Sequence, residues 1–339
     1  MTKSYDDRLS AVHPDMSAAL AYGGCEAEKI VDAFLESLEA TPPPPILYHY
    51  TNDVGLRGIL ETEKLWLTDI LSLNDPSELS HGLKLAVDVL KSKAADGPPE
   101  SKLFAAGFEE VIRLGKVQRS GDYFICCFSA NGNDLGQWRA YADNGRGYAL
   151  GFDAKALENA FIQQVNAPIQ KAFPVTYNDA RLIEIHRDII EKMFSLISLP
   201  RGRDLGGDAI KAYWAELYTQ ITVHALHAGL HFKHEAYFNE KEYRFMHVYP
   251  AADQPLETKL YTRSYSSVRY QEFDWKSAGG NVLKKIVVGP AADVERATAF
   301  AKESLLLTDQ QAVALTSSEI PYRAKMTPGA PDPDFGTRD

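Results

Sequence analysis

The run "YFICCFS", residues 123–129, is apolar at almost every position and rich in aromatics. A strand with one wet face alternates apolar and polar residues, and an unbroken apolar run of strand length does not. The segment therefore predicts a buried strand, and the rest of the chain must supply what covers it. "GRGYALGF" (145–152) alternates and predicts a second strand, with "KAFPVTYN" (171–178) as a candidate third. "ILYHYT" (46–51), "EYRFMHVY" (242–249), "LKKIVVG" (283–289) and "AVALTSS" (312–318) add further short strands. Helical spacing covers 15–40 (Ile30, Val31, Phe34, Leu35, Leu38), 178–199, 208–232 and 293–306. Two more helices fill 79–118, separated by "DGPPE", where glycine and two prolines end the first. Strands scattered among helices, without a βαβ rhythm or a glycine-rich phosphate loop, indicate an α+β fold.

Punctuation divides the chain. "TPPPP" at 41–45 closes an N-terminal helical segment, 1–45, and a single domain is expected over 46–325, with a helical insertion at about 178–232. The Pro/Gly-rich end leads to the expectation of a disordered tail, 326–339. A net charge of -10 argues against a general basic field for coating nucleic acid, although a local basic groove stays compatible with it. Three cysteines, two of them adjacent (Cys126, Cys127), cannot build a disulfide framework. With neither a leader pattern nor an apolar run near 18 residues, a cytoplasmic protein without a membrane partner is expected.

Three polar clusters carry candidate chemistry. In "LYHYT" a strand puts His49 and Thr51 on one face, Tyr48 and Tyr50 on the other. A core histidine and packed tyrosines are the plain account. Between the two best-marked strands, "CFSANGNDLGQWRAYADNGRGYALGF" gathers Ser129, Gln137, Trp138, Arg139, Tyr141, Asn144, Arg146 and Gly147. Such a loop suits a binding site, or else a short helix, "DLGQWRAYA", packed through Trp138. In "FKHEAYFNEKEYRF" (232–245), Glu240 and Glu242 would share one strand face with Arg244. Two like charges facing one way need a cation or a hydroxyl partner, unless the strand is a charge-blunted edge. Upstream, His224, His227 and His231 fall at helical spacing, a face compatible with zinc, although no HExxH-type signature is present.

Taken in order, "LYHYT", "LNDPSE", "CFS", "QWRAYADNGRGYALGF", "FKHEAYFNEKEYRF", "VVGP" and "IPYR" resemble the bacterial family DUF2971 over about residues 46–323. The family name carries no activity. More remotely, the same motifs are similar to ADP-ribosyltransferases of the His-Tyr-Glu type. That resemblance implies a split mixed β-sheet, NAD as substrate, and a macromolecular acceptor, protein or nucleic acid, with simple NAD hydrolysis as a variant. It assigns His49, with Tyr50 and Thr51 beside it, to the ribose. Tyr141 is its first choice for the nicotinamide, with Trp138 and Tyr148 as the others, and Arg139, Arg146 or Arg244 would take the pyrophosphate. Glu242 becomes the carboxylate that stabilises the oxocarbenium ion, and Glu240 the group that orients or deprotonates the acceptor. Asn74 and Asp75 would supply a turn nearby. A toxin or phage-defence setting fits the same resemblance. Two other readings stand beside it: a metal-dependent hydrolase on the His224/His227/His231 face, and a non-catalytic nucleotide-binding module.

Overall fold

The structure, a computed structural model, describes residues 14–73, 78–114, 121–164, 167–250, 256–263, 265–277, 279–310 and 312–322. Asn74, Asp75 and the tail 326–339 lie outside them. In chain order the elements are α1 (Pro14–Glu39), β1 (Ile46–Thr51), α2 (Asp53–Thr62), β2 (Lys64–Asp69), α3 (Glu78–Ala95), α4 (Pro99–Arg113), β3 (Gly121–Ser129), α5 (Leu135–Tyr141) and β4 (Tyr148–Asp153). They continue with α6 (Ala154–Gln163), β5 (Ile169–Pro174), α7 (Asp179–Phe194), α8 (Gly207–Gly229), β6 (Glu242–Pro250), β7 (Lys259–Arg263), β8 (Ser266–Asp274), β9 (Leu283–Val288), α9 (Val294–Leu307) and β10 (Ala314–Ser317). A 3-10 turn, Glu235–Glu240, leads into β6. The fold is α+β.

Short polar side chains start the helices where the sequence has them. Asn52, Asp153, Asn178 and Asp293 each accept a backbone N–H from the first turn of α2, α6, α7 and α9. Pro99 opens α4, where its missing N–H costs nothing.

The buried run becomes β3, and β6 lies antiparallel along its full length, from Gly121 opposite Pro250 to Ser129 opposite Glu242. Among the described residues the sheet has ten strands, ordered β10-β9-β4-β1-β3-β2-β8-β7, with β6 on β3 and β5 on β6. β10 runs parallel to β9 and the other named pairings are antiparallel, so the sheet is mixed. The join between β1 and β3 is narrow, registered at Tyr48 opposite Ser129.

Both faces of β3 and β6 are covered. Phe124, Cys126 and Phe128 join Tyr243 and Phe245 in one apolar core with Leu47, Leu150, Phe161 of α6 and Leu305 of α9. The opposite face sets Ile125, Met246 and Val248 against Ala225 and Leu226 of α8 and Leu83 of α3. A further cluster joins Met16, Leu20, Val31 and Phe34 of α1 to Ile189 of α7 and Leu217 of α8. The N-terminal helix thus shares a core with the helical insertion. Burying each such large apolar side chain contributes about 1.5–3 kcal/mol, and that packing, more than helix propensity, holds the layer together.

Candidate functional site

The site grows from the end of α8. Past Gly229 the chain runs beside Thr176: Thr176 N donates to His231 O (2.9 Å), and Lys233 N donates to Thr176 O (3.0 Å). This short parallel bridge turns Lys233 inward, where it is buried. The chain then makes the 3-10 turn, started by His234, whose Nδ1 accepts Ala236 N at 3.1 Å. The turn ends at Lys241 in the left-handed region, φ 44°. Ser129 Oγ donates to Glu240 O (2.6 Å), and Ala130 N donates to Lys241 O (2.9 Å), pinning the turn to the end of β3.

Lys233 is the hub. Its Nζ lies 2.7 Å from Glu240 Oε2 and 3.1 Å from Glu242 Oε2, and 4.8 Å from the Tyr237 ring centroid. Glu242 also faces Arg244, whose Nε donates to Oε1 (2.7 Å) and Nη2 to Oε2 (3.3 Å). Arg244 Nη1 is spent on Leu230 O at 2.9 Å. Glu242 and Arg244 are both buried. Burial alone would raise the Glu242 carboxyl, but Arg244, Lys233 and a Cys127 thiol hydrogen bond hold it well below the usual carboxylate range. Glu242 is therefore a fixed anion. Glu240 is the more open of the two carboxylates, its side chain 20% exposed against 4% for Glu242.

Two tyrosines close the cluster. Tyr177 Oη accepts Glu242 N at 2.8 Å, and its ring meets Phe238 edge-on. Tyr141, at the end of α5, is partly exposed, and its hydroxyl is pushed up by burial and then by the charge of Glu240. A cleft of about 440 Å³ opens here, lined by Tyr177, His234, Glu235, Ala236 and Phe238.

Several expectations change. Glu240 and Glu242 do not share a strand face: Glu240 belongs to the 3-10 turn, and β6 starts at Glu242. They converge because both reach Lys233, not because of strand periodicity. Nor is β6 a charge-blunted edge, since it lies between β3 and β5 and is buried from Glu242 to Val248. The charges on it are paired inside the fold.

His49 is not brought to this cluster. Tyr48 lies opposite Ser129, which lies opposite Glu242, so alternation sends His49 to the other face. There its ring sits 5.5 Å from Phe128, with Nδ1 3.2 Å from Cys127 O, and burial lowers its pKa. Tyr50 and Trp138 pack edge to face at 4.8 Å in a small core with Ala149 and Val287. Tyr50 Oη donates to Asn131 O (2.7 Å) and Trp138 Nε1 to Asn133 Oδ1 (3.0 Å), so both hold the loop after β3 in place. Thr51, half-buried, pairs with Tyr148 at the end of β1. Tyr148 is buried and donates to Ala297 O (3.2 Å). Arg139 is exposed on α5, and Arg146 is exposed and bound to Asp143 (3.0 Å).

The glycines of "GRG" serve close packing. A side chain at Gly147 would collide with Thr51 O. The amides of Gly145, Arg146 and Gly147 are already donated to Ala142, Asp143 and Ala142. No row of amides is left there to cradle a phosphate. The metal reading also finds no support: among the described residues no three His, Cys, Asp or Glu side chains gather as a metal site. His231 lies past the end of α8, buried against the Phe173 ring at 4.0 Å, with Nδ1 donating to His227 O (2.9 Å).

Lys233, Tyr177 and Cys127 were not singled out from the sequence. Lys233 carries a faint signal, a lysine seven and nine residues before the two carboxylates. Tyr177 carries none, because a different strand pairing brings it in.

Residues 137–245 match the model of a family described as a protein of unknown function, DUF2971. No curated protein and no solved structure matches the chain. The matched stretch begins in α5 and ends just past Arg244, so it contains Tyr141, Tyr177, Lys233, Glu240 and Glu242 together. By this match, the segment that builds the carboxylate–lysine cluster is similar to DUF2971.

Proposed function

We propose that the chain is an NAD-consuming enzyme that breaks the nicotinamide–ribose bond and passes ADP-ribose to a macromolecular acceptor or to water. One observation carries this reading: two carboxylates meet one buried lysine beside two tyrosines, at the edge of an open cleft. Breaking an N-glycosidic bond to ribose develops an oxocarbenium ion, and a fixed anion beside the sugar lowers that barrier. The roles divide by exposure. Glu242, bonded to Arg244 and Lys233, is the anchor that holds Lys233 in place. Glu240, on the same lysine and more open, takes the position next to the ribose. Tyr141 offers a partly exposed ring to the nicotinamide, and Phe238, 59% exposed, is an aromatic wall of the cleft. Arg139, two residues before Tyr141, is the exposed cation suited to the pyrophosphate, because Arg244 is already engaged. His49 has no role in this arrangement, which departs from the His-Tyr-Glu pattern.

The test is release of free nicotinamide from NAD by the purified chain, with protein and nucleic-acid acceptors offered. Glu240→Gln is expected to slow release by about 10²–10³-fold while the melting temperature holds. An active preparation that Glu240→Gln leaves unchanged, or a folded wild type that releases no nicotinamide, would sink the proposal.

A further inference from the structure

Behind His234, which lines the cleft, a titratable cluster takes no share in the roles above. His81, in the first turns of α3, places Nε2 2.9 Å from Asp179 Oδ1, at the start of α7. Its ring stands edge-on to His234, centroids 5.4 Å apart, and His234 lines the cleft. The three residues come from three separate elements. The approach depends on Gly82, where an added Cβ would sit 2.9 Å from the Gly229 Cα at the end of α8. That close crossing sets the start of α3 beside the turn carrying His234.

Hydrogen bonding assigns the tautomers. A neutral His81 that donates Nε2–H to Asp179 keeps a lone pair on Nδ1. A neutral His234 that accepts Ala236 N on Nδ1 keeps its proton on Nε2. One imidazole is thus a base held by a carboxylate, and its neighbour is a donor. The same division of labour, an acid orienting a histidine and stabilising its protonated form, activates the serine hydroxyl of Ser-His-Asp triads. The His81 and Asp179 side chains are 20% and 32% exposed, so the pair is partly open to solvent. Tyr177 links the two sides, its ring lining the cleft with His234 while its hydroxyl touches the Glu242 amide.

We propose that His81 is the general base of this cleft, oriented by Asp179, with His234 holding the nucleophile. The inference rests on the NAD reading above and adds the group that reading lacks. The attacking oxygen belongs to water or to an acceptor hydroxyl. It forms a bond to the ribose C1′ as the C1′–nicotinamide bond breaks, and the bonding pair leaves with the nicotinamide and neutralises its ring nitrogen. The proton of the nucleophile passes to His81 Nδ1, and Asp179 stabilises the imidazolium that results. His81 is then a catalytic residue, Asp179 a positioning residue.

The experiment measures nicotinamide release and NAD KM for wild type, His81→Ala, His81→Gln and Asp179→Asn, each checked by thermal melting. His81→Ala is expected to lower kcat at least 100-fold with KM within threefold, and imidazole in the medium to restore some of it. Should His81→Ala fail to fold, His81→Gln, which can still donate to Asp179, gives the same reading without the base. Asp179→Asn is expected to lower kcat about tenfold, and ¹⁵N NMR of its His81 to show the Nε2–H tautomer losing its dominance. An active wild type whose His81 variants keep full kcat overturns the inference and leaves the NAD reading standing. A wild type that releases no nicotinamide overturns both.

Discussion

The two faces of the β3–β6 ladder share one backbone register and solve burial in opposite ways. On one face Phe128, Tyr243 and Phe245 pack into the main apolar core, and the Tyr243 hydroxyl donates to Glu158. On the other, Ser129, Cys127, Glu242 and Arg244 sit at the same level, and two of them are charged and buried. An apolar face tolerates loss in proportion to the area removed. A charged one depends on every partner staying in place, because an uncompensated buried charge costs far more than a missing contact. The candidate site lies where the second solution is used, next to the cleft lined by Tyr177, His234 and Phe238.

Cutting the charged face is expected to give the largest effect. Arg244→Met removes two of the bonds that hold Glu242 and should destabilise the fold by about 3–5 kcal/mol. The double variant Glu242→Leu/Arg244→Met should recover most of that, because Lys233 keeps Glu240. Urea unfolding of the single and double variants measures both, and a double variant no more stable than the single would break the contrast.

Acid should act next, through the helical layer. Burial lowers His186 to about 4 and His231 to about 3, both below the unfolded value near 6.5. The unfolded chain therefore takes up protons first. The stability is full above about pH 6.5 and falls as pH drops toward those values, by about 1.4 kcal/mol per histidine per pH unit. In His231→Phe, unfolding followed across pH 4–7 should show a slope shallower by one group. An unchanged slope would mean that His231 is protonated in the fold without penalty.

The smallest effect belongs to the turn between the two carboxylates. Lys241→Gly relieves a left-handed backbone at φ 44° and should stabilise by about 1 kcal/mol or less. A loss of stability there would show that the Lys241 side chain matters more than its backbone.

Much of the fold is legible in the residues. The apolar run is a buried strand, "DGPPE" does separate a pair of helices, and the late strand–helix–strand order holds. These are local signals, set by periodicity and by glycine and proline. β7 and β8 were not foreseen, because half-exposed strands with mixed polar residues carry little periodic contrast. At the site, Glu240, Glu242, Arg244 and Tyr141 stood out in the sequence and lie together here. His49 stood out as well, and one register pair sends it to the opposite face. His81, Asp179 and His234 went unnoticed as a group, since 98 residues separate the first two.

The sequence by itself determined which segments alternate, which form the buried strand and where most of the long helices begin, since those depend on neighbours within a few positions. The tertiary structure alone decided that Lys233 joins two carboxylates across a turn and that Tyr177 arrives from the β5–α7 connection. It also set His81 against His234 through the contact of Gly82 with Gly229. Those meetings rest on strand register and helix crossing, which come from packing the whole chain at once and leave no trace in local spacing.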